Sequence, residues 1–253
     1  MRIQLHGQFT VEVDGAAVDR RLPGRRARLL VAYLAAHQRS ATDRTTLLEV
    51  LWQPGCPGPG AGRVFDSMLS KTRTTLAPAE IRGRSSLRLV LPPGGLIDSE
   101  RAVSALHEAE SAAGRGDWRR AWTQALSALF VLQREFLPGV DTEWTAGRRA
   151  EAHLAHTRAT ACYAEACLRL GGAELASAER SARRLVEADP LGERGYLLLM
   201  RALAARGDRA AALTVFEHLR CRLRDELGVS PGPAATGLHR GLLGTSEPRP
   251  VPH

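Results

Sequence analysis

Two copies of one turn most constrain what this chain can fold into. Arg115-Gly116-Asp117 is followed by Ala121, and Arg206-Gly207-Asp208 by Ala212, so both share the form Arg-Gly-Asp-x3-Ala. A weaker third copy, Gly172-Ala173 with Ala176, stands 35 residues before Gly207. Asp189-Pro190 is expected to close the helix that begins near Ala173, because proline cannot continue a helix. From Asp98 onward the apolar spacing is helical, and short Gly-Asp turns join amphipathic helices in pairs. Such a pair cannot bury its apolar faces alone, so the pairs must stack.

A period near 34 residues, Gly-Asp turns and a closing Asp-Pro resemble tetratricopeptide repeats. The first two-fifths of the chain reads differently. Ile3 and Leu5, then Phe9, Val11 and Val13, alternate with period 2, and Asp14-Gly15 signals a hairpin whose return strand starts at Ala17-Val18. Ala27, Leu30, Val31, Leu34 and Ala35 then predict a helix over about 25–37. A second helix, capped by Thr42 or Asp43, carries Leu47, Leu48, Leu51 and Trp52 on its apolar side. Pro54-Gly55-Cys56-Pro57-Gly58-Pro59-Gly60 must be a loop. A third helix follows over about 61–76, then a hairpin over 81–91 with Gly83 in its turn, and Pro92-Pro93-Gly94-Gly95 as the linker. Strands, three helices and a terminal hairpin form the layout of a winged helix-turn-helix. The expected fold is therefore α+β, with a winged helix-turn-helix over 1–97, an all-α tetratricopeptide-like domain over 98–243 and a disordered tail over 244–253.

Charge divides the chain at the same place. Up to Ile97 there are 14 basic and 7 acidic residues, and from Asp98 onward 21 and 20. Nearly all of the net +8 sits in the first module, as double-stranded DNA would require of a reader. Lys71 is the only lysine, so arginine abundance by itself says little, and the distribution carries the argument. Cys56, Cys162, Cys167 and Cys221 have no CxxC spacing or histidine partner for zinc, and fit free thiols in a reducing compartment. No apolar run of 18 residues occurs and Met1–His6 is polar, so a cytoplasmic protein without membrane contact is expected. The Arg-Gly-Asp triplets then read as helix turns rather than adhesion signals.

No GxxxxGK[ST], GxGxxG or GxSxG motif occurs, and neither enzyme activity nor a cofactor is expected. His153 and His156 are three apart, but no carboxylate or cysteine at matching spacing completes a metal site. Trp118, Trp122 and Trp144 read as packing anchors.

On a helical wheel of the third helix, Arg63, Asp66, Ser67, Ser70, Lys71, Arg73 and Thr74 share one side. Val64, Phe65, Met68, Leu69, Thr72 and Leu76 share the other and would pack on the first two helices. The polar side holds groups able to meet phosphates and base edges in a major groove. Arg82, Arg84 and Arg88 on the hairpin would meet the adjacent minor groove, whose negative potential attracts arginine. The candidate DNA-binding residues are Arg63, Ser67, Ser70, Lys71, Arg73, Arg82, Arg84 and Arg88.

Several stretches resemble the Streptomyces antibiotic regulatory proteins, activators that join an OmpR-like winged helix to a bacterial transcriptional activation domain. They are Gly24-Arg25-Arg26-Ala27-Arg28-Leu29-Leu30, Leu47-Leu48-Glu49-Val50-Leu51-Trp52, Ser70-Lys71-Thr72-Arg73-Thr74-Thr75-Leu76 and Glu187-Ala188-Asp189-Pro190-Leu191. The most specific is Glu226-Leu227-Gly228-Val229-Ser230-Pro231. The resemblance implies an activator of an antibiotic or other secondary-metabolite gene cluster. It would bind promoter direct repeats, associate with itself on DNA and recruit RNA polymerase holoenzyme. Thr72 and Thr74 interrupt the basic cluster usual in that family, and Asp66 puts a negative charge on the DNA face. Those departures carry the alternative reading: a helical-repeat interaction scaffold with a degenerate DNA-binding module.

Overall fold

The computed structural model describes residues 1–53, 55 and 57–244. Pro54 and Cys56 of the expected loop, and the expected tail beyond Gly244, lie outside the described residues. The fold is predominantly helical and the chain forms two compact units. One comprises Met1–Ser104 with Phe130–Leu154, the other Ala105–Leu129 with the chain from Ala155.

In the first unit, β1 (Arg2–Gln4) pairs antiparallel with β2 (Thr10–Val13), which turns through Asp14-Gly15 into β3 (Ala16–Ala17). Both turn residues have positive φ, 48° and 82°, as that hairpin type demands. α1 (Gly24–Ala36) is buried on almost every side past its first turn. Leu29, Ala32 and Tyr33 join the face that periodicity predicts, and only Gly24, Arg25, Arg26 and Arg28 stay exposed.

β4 (Thr42–Asp43) precedes α2 (Arg44–Trp52). Asp43 occupies the N-cap position without a side-chain capping bond, and the backbone of Thr42 and Asp43 pairs with Leu87 and Ser86. α3 (Ala61–Leu76) leads into β5 (Glu80–Arg82) and β6 (Ser86–Val90), which with β4 form a three-stranded sheet in the order β4-β6-β5. Pro92–Gly95 is a tight turn closed by Gly95 N donating to Pro92 O at 2.9 Å. It delivers β7 (Leu96–Ile97), which pairs parallel with β1 as the fourth strand of the first sheet. The expected linker is thus an internal turn of the first unit.

α4 (Asp98–Gly114) starts at that sheet. The Asp98 carboxylate accepts from the backbone N–H groups of Leu5, His6 and Ser99 at 2.8, 3.0 and 2.8 Å. A later segment completes the same core. Gly7 N donates to Glu135 O at 2.8 Å, and Leu137 N to Leu5 O at 2.9 Å. Phe136 and Leu137 are buried against the sheet and α1, with Val140 and Trp144 packed beside them. Arg149 holds this segment by donating to the carbonyls of Phe136, Leu137 and Val140.

The second unit is built from α4 and α5 (Trp118–Leu132) in part, the later half of α6 (Glu143–Leu170), α7 (Leu175–Ala188), α8 (Glu193–Ala205), α9 (Arg209–Leu227) and α10 (Pro233–Gly244). The two Arg-Gly-Asp turns share their chain-reversing bonds. Asp117 N donates to Ala112 O and Asp208 N to Leu203 O, both at 2.9 Å, and Gly116 and Gly207 have φ of 75° and 86°. Each aspartate then caps the next helix, accepting from Arg120 N or Ala211 N. Ala121 and Ala212 are fully buried, as the shared motif requires. The third copy departs from this form. Gly172–Glu174 make a 3-10 turn, and the fully buried alanine is Ala178 rather than Ala176.

α7 ends at Ala188, before Asp189-Pro190. α9 ends at Gly228 in the left-handed region, and the chain returns to α8 where Gly232 N donates to Glu193. Trp118 and Trp122 pack on an alanine-lined core, whereas Trp144 makes tilted and edge-on ring contacts with Tyr33, His37 and Phe136 of the first unit. Among the described residues no group of three His, Cys, Asp or Glu is placed to hold a metal. No described helix is long and apolar enough to cross a membrane.

Candidate nucleic-acid interface

α3 buries Ala61, Phe65, Met68, Leu69, Thr72 and Leu76, spaced three or four positions apart except for the neighbours Met68 and Leu69, and this fixes which side faces outward. Thr72 is the one polar residue on the packed side, and its hydroxyl donates to Met68 O at 2.8 Å. Val64, which the wheel assigns to the packed side, is 53% exposed. The outward stripe runs Arg63, Ser67, Ser70, Lys71 and Thr74, all exposed. Arg63 and Lys71 use no side-chain donor on another described residue, so their charges are available to an external anion.

Arg73 is placed differently. Its Nε donates to Ile81 O at 2.9 Å and its Nη2 to Gly83 O at 2.7 Å, clamping the end of α3 to the hairpin. Across the hairpin, Arg82 stands opposite Arg88, an arrangement that is repulsive unless each charge is managed. Arg82 pairs with Glu80 at 2.6 Å, and Arg88 Nε donates to Gln38 O at 2.9 Å. Arg84 stands exposed at the tip between them. The tip turns at Gly83, whose φ is 100°; a Cβ there would lie 1.8 Å from Ser86 O. Only glycine closes this loop without displacing its backbone.

Asp66 carries the negative charge that argued against DNA binding, and the structure neutralises it. Arg44, at the start of α2, donates to Asp66 Oδ1 at 2.5 Å and to Gly62 O at 3.0 Å, and its guanidinium lies 4.8 Å from the Phe65 ring centroid. The bond from Arg44 holds the Asp66 carboxyl below the usual carboxylate range and raises the Arg44 guanidinium in turn. Sequence spacing gives no sign of this pair, because its members lie 22 positions apart on different helices.

At the start of α3, Arg26, Trp52, Gly58–Ala61, Arg63 and Val64 line an open cavity of about 370 Å³. Arg26 lies 4.6 Å from the Trp52 ring centroid and donates to Leu51 O at 3.3 Å, leaving further donors at the rim. The stripe, the rim and the hairpin tip thus present cationic and hydroxyl donors with few carboxylates between them. Such a surface can hydrogen-bond phosphate oxygens and base edges.

Comparison with known proteins bears on what this arrangement belongs to. Residues 97–243 match the family described as bacterial transcriptional activator domain. Regulatory protein AfsR of Streptomyces coelicolor is 31% identical over 250 residues, covering 96% of this chain and 24% of that protein. Transcriptional regulatory protein MoaR1 of Mycobacterium tuberculosis is 24% identical over 249 residues, covering 94% and 77%. The chain therefore spans about a quarter of the AfsR protein but most of MoaR1. A solved structure of Mycobacterium tuberculosis EmbR in complex with a low affinity phosphopeptide superposes with a TM-score of 0.82 at 21% identity. It covers 98% of this chain and 66% of that one, a likeness of fold. AfsR is named a regulatory protein and MoaR1 a transcriptional regulatory protein. The chain belongs to the bacterial transcriptional activator domain family, as a regulator of the Streptomyces antibiotic regulatory type that its sequence resembles.

Proposed function

We propose that this regulator is a sequence-specific, DNA-binding transcriptional activator whose first unit works as an OmpR-like winged helix-turn-helix. In this reading α3 enters the major groove and the β5–β6 hairpin meets the neighbouring minor groove. The observation that carries it is the stripe of Arg63, Ser67, Ser70, Lys71 and Thr74 along the exposed side of α3, continued by Arg84 at the hairpin tip. Arg63, Lys71 and Arg84 supply the charge, and the hydroxyls supply groups that discriminate base edges. Arg73, Arg82 and Arg88 have intramolecular partners, so their main part is to hold the hairpin where Arg84 can reach DNA. The tetratricopeptide-like second unit provides the surface for RNA polymerase holoenzyme and for a neighbouring protomer on a direct repeat. The target is a promoter of an antibiotic or other secondary-metabolite gene cluster, and the protein acts in the cytoplasm without cofactor.

The ion pair of Asp66 with Arg44 offsets one of the two departures on which the interaction-scaffold alternative rests, the other being the interruption of the basic cluster by Thr72 and Thr74. The deciding experiment is a titration of purified protein against promoter fragments from its own gene neighbourhood, with competitor DNA at two salt concentrations. Competitor-resistant binding to a fragment with direct repeats is expected. Equal, weak and salt-labile binding to every fragment would overturn the reading in favour of the scaffold.

A further inference from the structure

We infer that Val64 is a specificity-determining residue that reads the C5-methyl group of a thymine, making thymine the preferred base at one position of each binding site. The inference rests on the DNA-reading role proposed above for α3. Every other large apolar residue of α3 (Phe65, Met68, Leu69 and Leu76) is buried, whereas Val64 is 53% exposed. Folding gives no reason for a valine there. A β-branched residue lowers helix propensity, and its methyl groups gain nothing while they face water.

Its position is informative. Ser67 and Lys71 follow at i+3 and i+7, so Val64 borders the polar stripe rather than the core, and Arg63 precedes it. On the loop side Val64 lines an open cavity together with Gly58, Pro59 and Gly60. The chain there is Gly58-Pro59-Gly60; a Cβ at Gly58 would meet nothing within 4 Å, and one at Gly60 only Arg63 Nη2 at 3.9 Å. The cavity of about 370 Å³ beside it leaves room for the edge of a base pair. On the base edges of a major groove the one apolar group is the thymine methyl. Valine offers two methyls and no hydrogen-bonding atom, so it gains by covering that group. A cytosine at the same place would lose a partner for its amino group.

The test starts with selection of a randomised duplex library by the wild-type protein in the presence of competitor DNA. The enriched site is then resynthesised with each thymine replaced in turn by deoxyuridine, which deletes only the methyl. Kd is measured for wild type and Val64→Ala, an exposed change to a better helix former, with unchanged Tm as the control on folding. One deoxyuridine per protomer site is expected to weaken wild type about fourfold, the equivalent of one buried methyl, and to leave Val64→Ala indifferent. An enriched site at which no deoxyuridine separates the two proteins overturns the role of Val64 while leaving DNA reading by α3 intact. Failure to enrich any site overturns the DNA-reading proposal itself, and this inference with it.

Discussion

Arg44 and Asp66 form an ion pair that offsets a carboxylate on the surface proposed to meet DNA. The guanidinium donates to the carboxylate at 2.5 Å while lying over Phe65, so one side chain neutralises the charge and fixes the start of α3. Arg44→Met keeps an apolar stem near Phe65 but bares the carboxylate, and is expected to weaken DNA binding about fivefold at low salt. Adding Asp66→Asn to that variant should recover most of the loss. A double variant as weak as Arg44→Met would mean that Asp66 does not oppose DNA. Periodicity identifies the stripe itself, since Arg63, Ser67, Ser70 and Lys71 follow from the wheel and are exposed. It does not identify Arg44 or the clamp made by Arg73, because those depend on contacts across elements. It misplaces Val64 because a wheel has no loop: Val64 lines an open cavity with Gly58, Pro59 and Gly60, and the two glycines bring no side chain to cover it.

At the scale of elements, the hairpin hangs on Gly83 and Arg73. Gly83→Ala meets Ser86 O at 1.8 Å with φ at 100°, so the loop must move, at a cost of about 1–3 kcal/mol. Denaturant unfolding of this variant should report that loss, and an unchanged midpoint would show that the loop relaxes freely. α7 and α8 are joined in another way, through Glu179, which accepts from Arg183 at 2.8 Å and from Arg206. The bond from Arg183, aided by both positive charges, holds the Glu179 carboxyl below the usual range. Its folded value is thus lower than its unfolded one, so its contribution is complete above about pH 4.5 and fades as pH falls through the folded value. Glu179→Gln should lower Tm by about 1–3 °C at pH 7, with the gap closing in acid. A gap that is constant with pH would assign the effect to something other than the carboxylate. The sequence reads the long elements well. α3 falls at 61–76, α7 stops before Asp189-Pro190 and both Arg-Gly-Asp turns reverse the chain. It misses β4 and β7, two residues each, because strands this short carry no period and exist only through their partners.

For the whole molecule, the least legible feature is that 130–154 completes the core of the first unit. In sequence this segment lies among helices that match the activation-domain family, yet Phe136 and Leu137 pack on β1 and α1. The His6–Phe136 bridge and the donation of Leu137 N to Leu5 O extend the first sheet with residues 130 positions away. Neither partner announces this in its local pattern. Phe136 is 2% exposed and meets the rings of His6 and Trp144, so Phe136→Ala should destabilise the first unit by about 3–5 kcal/mol. Its DNA affinity at 25 °C should fall with the folded fraction. Full stability in that variant would mean that residues 1–104 close their own core.

The central claim, that the exposed side of α3 contacts DNA, is tested most directly by the salt dependence of binding for wild type and Lys71→Ala. Lys71 is the single lysine, it is exposed, and no other described residue takes its charge. One lost phosphate contact should reduce the slope of log Kd against log salt by about one and weaken binding to all sequences alike. An unchanged slope, with affinity intact, would place the DNA elsewhere on the molecule.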